Sequence, residues 1–403
     1  MITEPVQVKP PPLLYAKTHG STPFYLNLHI GDVGHTLIFG PTGAGKSVLL
    51  GTFAASFRRY PGAFICAFDK GFSMWALVNA CGGLHYDIGG DDAEITLAPL
   101  DDIDTPSGRV WAEGYIAMLY EMINDRSPNP HQLKEIHKAI LLLAADKPSG
   151  QRSISDFLSI LQPRDSQDDL KTTLESFASN GRYGLFLDGR ADTLADNSFQ
   201  VFELDELMSM EKQIAIPVLL YLFRRFERSL KGQPALLILD EAWVMLGHPV
   251  FREKIRQWLK ELRKKNCAVI MATQSLSDAV ESKLFPVLVD SCATYILLPN
   301  EGAEKRGTAA HPGPYDLYKQ MGLNDTEIRT IRNAVRKRDY FYVSPEGKRL
   351  FSLGLGPIAL SFVAVSDKKT IARLKELKSQ HGTQWPYAWL REKGVSYEAL
   401  RAG

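Results

Sequence analysis

The chain has 403 residues, 45% of them hydrophobic and 23% charged, which fits a folded globular protein long enough for more than one average domain. Its net charge of +1 gives no global pull toward nucleic acid or anionic membrane and leaves only a local basic patch open. No signal peptide opens the sequence, no apolar run approaches the roughly 18–20 residues that cross a bilayer, and Cys66, Cys81, Cys267 and Cys292 form neither a CxxC pair nor a zinc-spaced Cys/His cluster.

In chain order, residues 1–34 read as a lead-in, with a PPP turn at Pro10–Pro12 and a strand signal, FYLNLHI, over 24–30. A core begins at 35 and runs to 104. His35 to Phe39 is a short apolar strand that enters a glycine-rich loop. Ser47 to Tyr60 reads as a helix stopped by Pro61–Gly62, and Ala63 to Phe68 as a strand ending at Asp69. Strand, loop, helix, strand is the opening of a parallel α/β sheet. Residues 105–195 read as an all-helical insertion, with amphipathic stretches at 108–123, 130–145, 153–162 and 167–179. The core resumes over 196–366. It holds strands at Ser198–Leu204, Ala235–Leu239, Cys267–Ala272 and Ala293–Leu298, and helices at Ile214–Leu230, Val250–Lys265 and 314–336. One or two hairpins are expected over 339–364, turning at Pro345–Gly347. Helices close the chain over 367–403. Three of the cysteines fall in apolar strand-like runs, the pattern of small buried hydrophobes in a reducing cytoplasm.

The segment GPTGAGKS, Gly40 to Ser47, fits GxxxxGK[ST] with a strand before it and a helix after it. Such a loop curls its N–H groups around a polyphosphate, so Gly40, Pro41, Thr42, Gly43, Ala44, Gly45, Lys46, Ser47 and Val48 are the expected ATP-binding residues. Side chains at Gly43 or Gly45 would obstruct the approach, and the following helix aims its positive end at the phosphates. Lys46 would neutralise the β- and γ-phosphates and Ser47 would ligate Mg²⁺. The run ALLILDEAW, Ala235 to Trp243, delivers a second half: Asp240 to hold Mg²⁺ and Glu241 to polarise the attacking water as general base. Thr273–Gln274, ending the next strand, would let Gln274 touch the γ-phosphate, or Gln274 is a structural strand-end residue. The basic helix around Arg263 and Lys264 is a solvated face or the source of an arginine finger for a neighbouring subunit, and a second basic run, Arg329 to Arg338, competes for that role. Asp69–Lys70 lies at the pocket rim or caps the next helix. His35 reads as a packed, hydrogen-bonded residue and not a catalyst.

With these motifs in hand, the sequence resembles the TrbE/CagE family of conjugative-transfer ATPases, the large ATPases of type IV secretion systems. The matching runs are STPFYLNLHIGDVGHTLIFGPTGAGKSVLL, FDKGFS, GRYGLFLDGR at 181–190, FELDEL at 202–207, LLILDEAW at 236–243, LRKKN at 262–266 and ATQS at 272–275. The resemblance implies a RecA-like P-loop NTPase core with a mostly parallel sheet and an inserted all-helical subdomain, related to HerA/FtsK translocases and coupling proteins. It implies a hexamer-type homo-oligomer, or a monomer as this piece alone. It also implies other secretion components as partners, and a cytoplasmic site peripheral to the bacterial inner membrane. Family members are roughly twice this length, so the resemblance implies the C-terminal motor half. In family terms Lys46, Ser47, Asp240, Glu241 and Gln274 match motif positions, and Arg263 lies in a basic motif before the Gln-bearing strand. Two other readings stand beside the secretion motor: a DNA-translocating coupling protein or pump, against which the near-neutral charge weighs, and a scaffold that binds nucleotide only to assemble, against which Glu241 weighs. DNA binding is compatible with the motor and not required by it.

Overall fold

The computed structural model describes residues 11–90, 95–163, 169–241, 249–274, 280, 285–308 and 311–396. The start of the lead-in through Pro10, residues 167 and 168, Trp243, Ser275 and the last seven residues lie outside the described residues.

Among the described residues, eleven strands form one sheet: β1 (Leu14–Thr18), β2 (Pro23–Leu26), β3 (Thr36–Phe39), β4 (Phe64–Asp69), β5 (Leu84–Asp87), β6 (Phe199–Glu203), β7 (Ala235–Leu239), β8 (Cys267–Thr273), β9 (Thr294–Leu297), β10 (Asp339–Ser344) and β11 (Gly347–Ser352). Their spatial order is β2-β1-β11-β10-β9-β3-β8-β7-β4-β6-β5. The run β9-β3-β8-β7-β4-β6 is parallel, and β2, β1, β11 and β10 continue it as an antiparallel wing. The parallel strands are buried at every position, as expected when near-continuous apolar runs such as ALLIL are covered on both faces. β1 alternates buried and exposed residues, the mark of a strand with one wet face.

Residue contacts divide the chain into two compact units. The first comprises Met1–His85, Ser198–Glu203 and Leu230–Gly403; the second comprises Tyr86–Asn197 and Leu204–Ser229. The helices in chain order are α1 (Lys46–Phe57) and α2 (Trp75–Ala80) in the first unit, then α3 (Pro106–Asn124), α4 (Pro130–Asp146), α5 (Ile154–Ile160), α6 (Leu170–Leu174), α7 (Asp205–Ser209) and α8 (Lys212–Ser229) in the second. The first unit continues with α9 (Pro249–Glu261), α10 (Phe285–Ser291), α11 (Pro314–Gln320), α12 (Asp325–Asn333), α13 (Pro357–Val363), α14 (Lys368–His381) and α15 (Trp385–Glu392).

In the first unit, α1 packs Leu49, Leu50, Phe53, Ala54 and Phe57 against sheet residues such as Ile38, Ile65, Ile238 and Ile270. Burying each of the larger side chains contributes about 1.5–3 kcal/mol. A second cluster joins Trp75 of α2 to Ile371, Leu374 and Leu377 of α14 and to Trp385 and Trp389 of α15, with the Trp389 indole N–H donating to the Ser361 carbonyl at 2.9 Å. In the second unit, Tyr115 of α3 donates to the Pro217 carbonyl inside α8 at 3.1 Å. There the buried Arg152 donates to the carbonyls of Lys147 and Asp101 at 2.7 and 2.8 Å and pairs with Asp104. These bonds satisfy a buried guanidinium, which would otherwise be costly.

Several segments differ from the sequence reading, among them Leu204–Ser229, which that reading places in the core and which falls in the second unit, and the following three. The lead-in holds β1 as well as β2 and completes the wing. The stretch 314–336 is two helices, because Gly322 (φ +81°) ends one and Asn324 caps the next by accepting from the Glu327 N–H. Over 339–364 there is one hairpin, with Pro345 and Glu346 in its tip. Residues 357–363 are helical, with Gly356 as N-cap and Pro357 at the first helical position, where its missing N–H costs nothing.

Candidate active site

The glycine-rich loop leaves the C-terminal end of β3, the strand flanked by β8 and β9. Ligands of open α/β sheets bind at such ends. The Gly40 N–H donates to the Thr273 carbonyl at 2.9 Å, and a Cβ on Gly40 would stand 2.4 Å from Cβ of Leu298. Gly43 (φ +75°) and Gly45 (φ +110°) take the left-handed backbone that lets the loop curl into α1. Lys46 is the first helical residue and is buried; Ser47 follows, half-buried, and Val48 packs on the core. Pro41 is half-buried, Thr42 exposed and Ala44 buried.

Asp240 and Glu241 leave β7, whose Leu239 lies abreast of Met271 on β8. The Lys46 ammonium pairs with Asp240 at 3.2 Å and with Glu241 at closer range. Glu241 holds a left-handed backbone (φ +52°), and its N–H donates to Asp240 Oδ1 at 3.0 Å. A non-glycine residue in that region is a strained position of the kind that collects at working sites. The Gln274 amide donates to Glu241 Oε1 and accepts from the Thr42 hydroxyl, tying the end of β8 to both the loop and the acid. Lys46, Asp240, Glu241, Gln274 and Thr42, far apart in sequence, therefore form one hydrogen-bonded set. Burial pushes the Asp240 carboxyl up to about 6; Lys46 opposes the rise, while Asp69 and Glu241 add to it. An acid so placed calls for cationic neighbours.

Other expected residues fall elsewhere. Arg263 lies in the 3₁₀ turn Leu262–Lys265 that precedes β8, so it is at the opposite end of that strand from Gln274. It lines an open cavity of about 550 Å³ with His29, Asp32 and Lys264. In the second basic run, Arg332 pairs with Glu304 and Arg338 with Asp339. Asp69, at the end of β4, holds the turn before α2 and lies close enough to Asp240 for its charge to act there. The carboxylate is fully buried, accepting from the Ser73 hydroxyl at 2.7 Å and the Met74 N–H at 2.8 Å. His35 is also fully buried and hydrogen-bonded through both ring nitrogens, to Val269 and Leu259.

Several contributors carry no sequence motif. The Lys337 N–H donates to the Ala44 carbonyl at 2.9 Å, and the Tyr340 hydroxyl donates to the Gly45 carbonyl at 3.3 Å, bracing the loop from behind. Glu203, ending β6, accepts the Gly71 and Phe72 N–H groups at 2.9 and 2.5 Å. An acid closing an apolar strand, the signal that marked Asp240, marks Glu203 as well. His85 stacks on Phe72, with ring centroids 5.5 Å apart. Burial, then Lys375 and Lys378, push its imidazole down to about 3.

Comparison with known proteins fits this geometry. Residues 157–307 match the TraG P-loop domain family. The chain is 49% identical over 393 residues to the conjugal transfer protein TrbE of Rhizobium radiobacter, covering 96% of this chain and 46% of that protein. It is 47% identical over 387 residues to a probable conjugal transfer protein TrbE of Sinorhizobium fredii, covering 95% of this chain and 56% of the relative. The chain thus spans about half the length of the curated relatives it matches. Its fold is similar to a solved structure of VirB4 from Thermoanaerobacter pseudethanolicus, with a TM-score of 0.66 at 17% identity over 88% of this chain and 99% of that one. The architecture is an α/β P-loop NTPase fold.

Proposed function

We propose that this chain belongs with the TrbE conjugal transfer proteins it matches and is an ATP-hydrolysing motor of a type IV secretion or conjugation system, powering pilus biogenesis and substrate transfer. The observation that carries the reading is the convergence of Lys46, Asp240, Glu241 and Gln274 on the phosphate-binding loop.

In this reading the loop amides and the N-terminus of α1 bind the β- and γ-phosphates, and the Lys46 ammonium neutralises them. Glu241 orients the attacking water and accepts its proton, and Gln274, bonded to both Glu241 and Thr42, senses whether the γ-phosphate is in place. The Ser47 hydroxyl and the Asp240 carboxylate are an oxygen-only donor pair, which suits Mg²⁺ and would hold it, and the ion would supply positive charge to offset that of the phosphates. Further proposals are a hexamer-type homo-oligomer, secretion components at the cytoplasmic face of the inner membrane as partners, and the helical unit as an insertion in the motor. Among the described residues no helix is long and apolar enough to cross a membrane.

Phosphate release from Mg-ATP tests the reading. Lys46→Ala is expected to abolish turnover. Glu241→Gln is expected to lower it at least about 100-fold while nucleotide still binds, in the range of a lost general base. Wild-type rates in either variant would sink the corresponding assignment.

A further inference from the structure

We propose that Asp69, Glu203 and His85 form a binding site for a divalent transition-metal ion, Zn²⁺ being the best match to the ligands, distinct from the magnesium of the nucleotide. β4, β6 and β5 are neighbours at one edge of the sheet, and Asp69 is in register with Glu203 across the β4–β6 pair. One ligand atom from each of the three side chains lies within 4.8 Å of the other two. Metal–ligand bonds of about 2.1 Å in tetrahedral geometry ask for ligand atoms about 3.4 Å apart, which is a small side-chain adjustment away.

Three further features fit. The buried Nε2 of His85 has no hydrogen-bond partner, an orphan in a structure whose buried polar groups are otherwise engaged almost throughout. Both carboxylates are oriented by donors behind them, Asp69 by Ser73 and Met74 and Glu203 by Gly71 and Phe72, which is the outer shell that metal-binding carboxylates carry. Asp69 and Glu203 are both fully buried, where a bound cation would offset the charge of two neighbouring acids. The ligand set also decides the class of ion. Lys375 and Lys378 are close enough to act on His85, so charge alone gives a cation little here, and affinity has to come from bonds to an imidazole and two carboxylates. That set suits Zn²⁺ and its transition-metal neighbours more than Mg²⁺ or Ca²⁺. The ion would pin the turn at 70–74 to the sheet edge. It would also place a fixed positive charge beside Asp69, the acid whose charge acts on Asp240.

The test uses the whole chain without nucleotide, stripped with a chelator and dialysed against Zn²⁺ or Co²⁺, with bound metal counted by mass spectrometry. One ion per wild-type chain is expected, with a Co²⁺ spectrum of nitrogen and oxygen ligands. Affinity should fall by about tenfold or more in His85→Phe and Glu203→Gln and change far less in Asp240→Asn, whose charge reaches the site only at a distance. Unstoichiometric trace binding by the wild type, equal binding by His85→Phe, or a thiolate-to-cobalt charge-transfer band would each overturn the proposal. The wild-type stoichiometry and spectrum decide it even if a variant does not fold.

Discussion

His35 sits where the chain enters β3, fully buried, with Nδ1 accepting from the Val269 N–H at 3.2 Å and Nε2 facing the Leu259 carbonyl at 3.1 Å. That pairing fixes the neutral tautomer with its proton on Nε2, and a second proton would cost the bond from Val269. Burial, the largest cause, holds the imidazole down at about 4 against an ordinary 6.5. Because the folded value is depressed, the unfolded chain takes up the proton first as pH falls. The stability from His35 is therefore intact above 6.5 and drains away between 6.5 and 4. Between pH 7 and pH 5 the loss is about 2 kcal/mol. Urea unfolding at the two pH values should show that drop for the wild type, and His35→Gln should reduce it by that amount. An identical pH slope in the variant would refute the assignment.

At the scale of elements, the segment between α12 and β10 sets the back of the phosphate-binding loop. Asp339, buried at the start of β10, accepts the Val335 N–H at 2.8 Å and pairs with Arg338 and His19, and these bonds hold its carboxyl below the ordinary range despite burial. The tight loop it closes presents Lys337 (φ +62°), whose N–H meets Ala44. Asp339→Ala should loosen that brace and weaken nucleotide binding by about tenfold, the scale of one buried donor left unpaired. Titration with a fluorescent ATP analogue checks this, and unchanged affinity in a folded variant would exclude the brace. This part of the site was not legible in the sequence. Gly40–Ser47 and Asp240–Glu241 are contiguous patterns whose chemistry depends on spacing, so they could be read directly. Lys337 and Tyr340 act through a backbone amide and a phenol on residues almost three hundred positions away, and nothing local marks them. The helix at 357–363, inside the stretch read as one or two hairpins, escaped for a related reason. Its apolar residues suit either state, and the Gly356–Pro357 start that decides for helix is a capping signal outweighed by the hairpin beside it. β1 was missed because five residues beside a proline run carry little strand signal until a partner strand pairs with them.

For the molecule as a whole, the strand directions sort the cations. β8 spans seven residues, about 20 Å at the usual rise, and Arg263 precedes it while Gln274 follows it. Arg263 is therefore out of reach of the phosphate-binding loop of its own chain, and an arginine finger at this position would have to serve a site on another copy. Hydrolysis per chain should then rise with protein concentration, and Arg263→Ala mixed into wild type should depress the rate below the average of the two. A linear dependence with simple averaging would remove Arg263 from the reaction. The same strand order bears on how the protein is made. β3 leaves the ribosome before the strands beside it, β8 and β9, which are separated from it by more than two hundred residues, and the brace at Lys337 and Tyr340 comes later still. The phosphate loop can acquire its flanking strands only after those intervening residues have been synthesised. Such non-local closure is slow and leaves the apolar β3 edge unpaired in the meantime. The interval between translation of β3 and the arrival of its neighbours is therefore the time in which that edge is open to other chains.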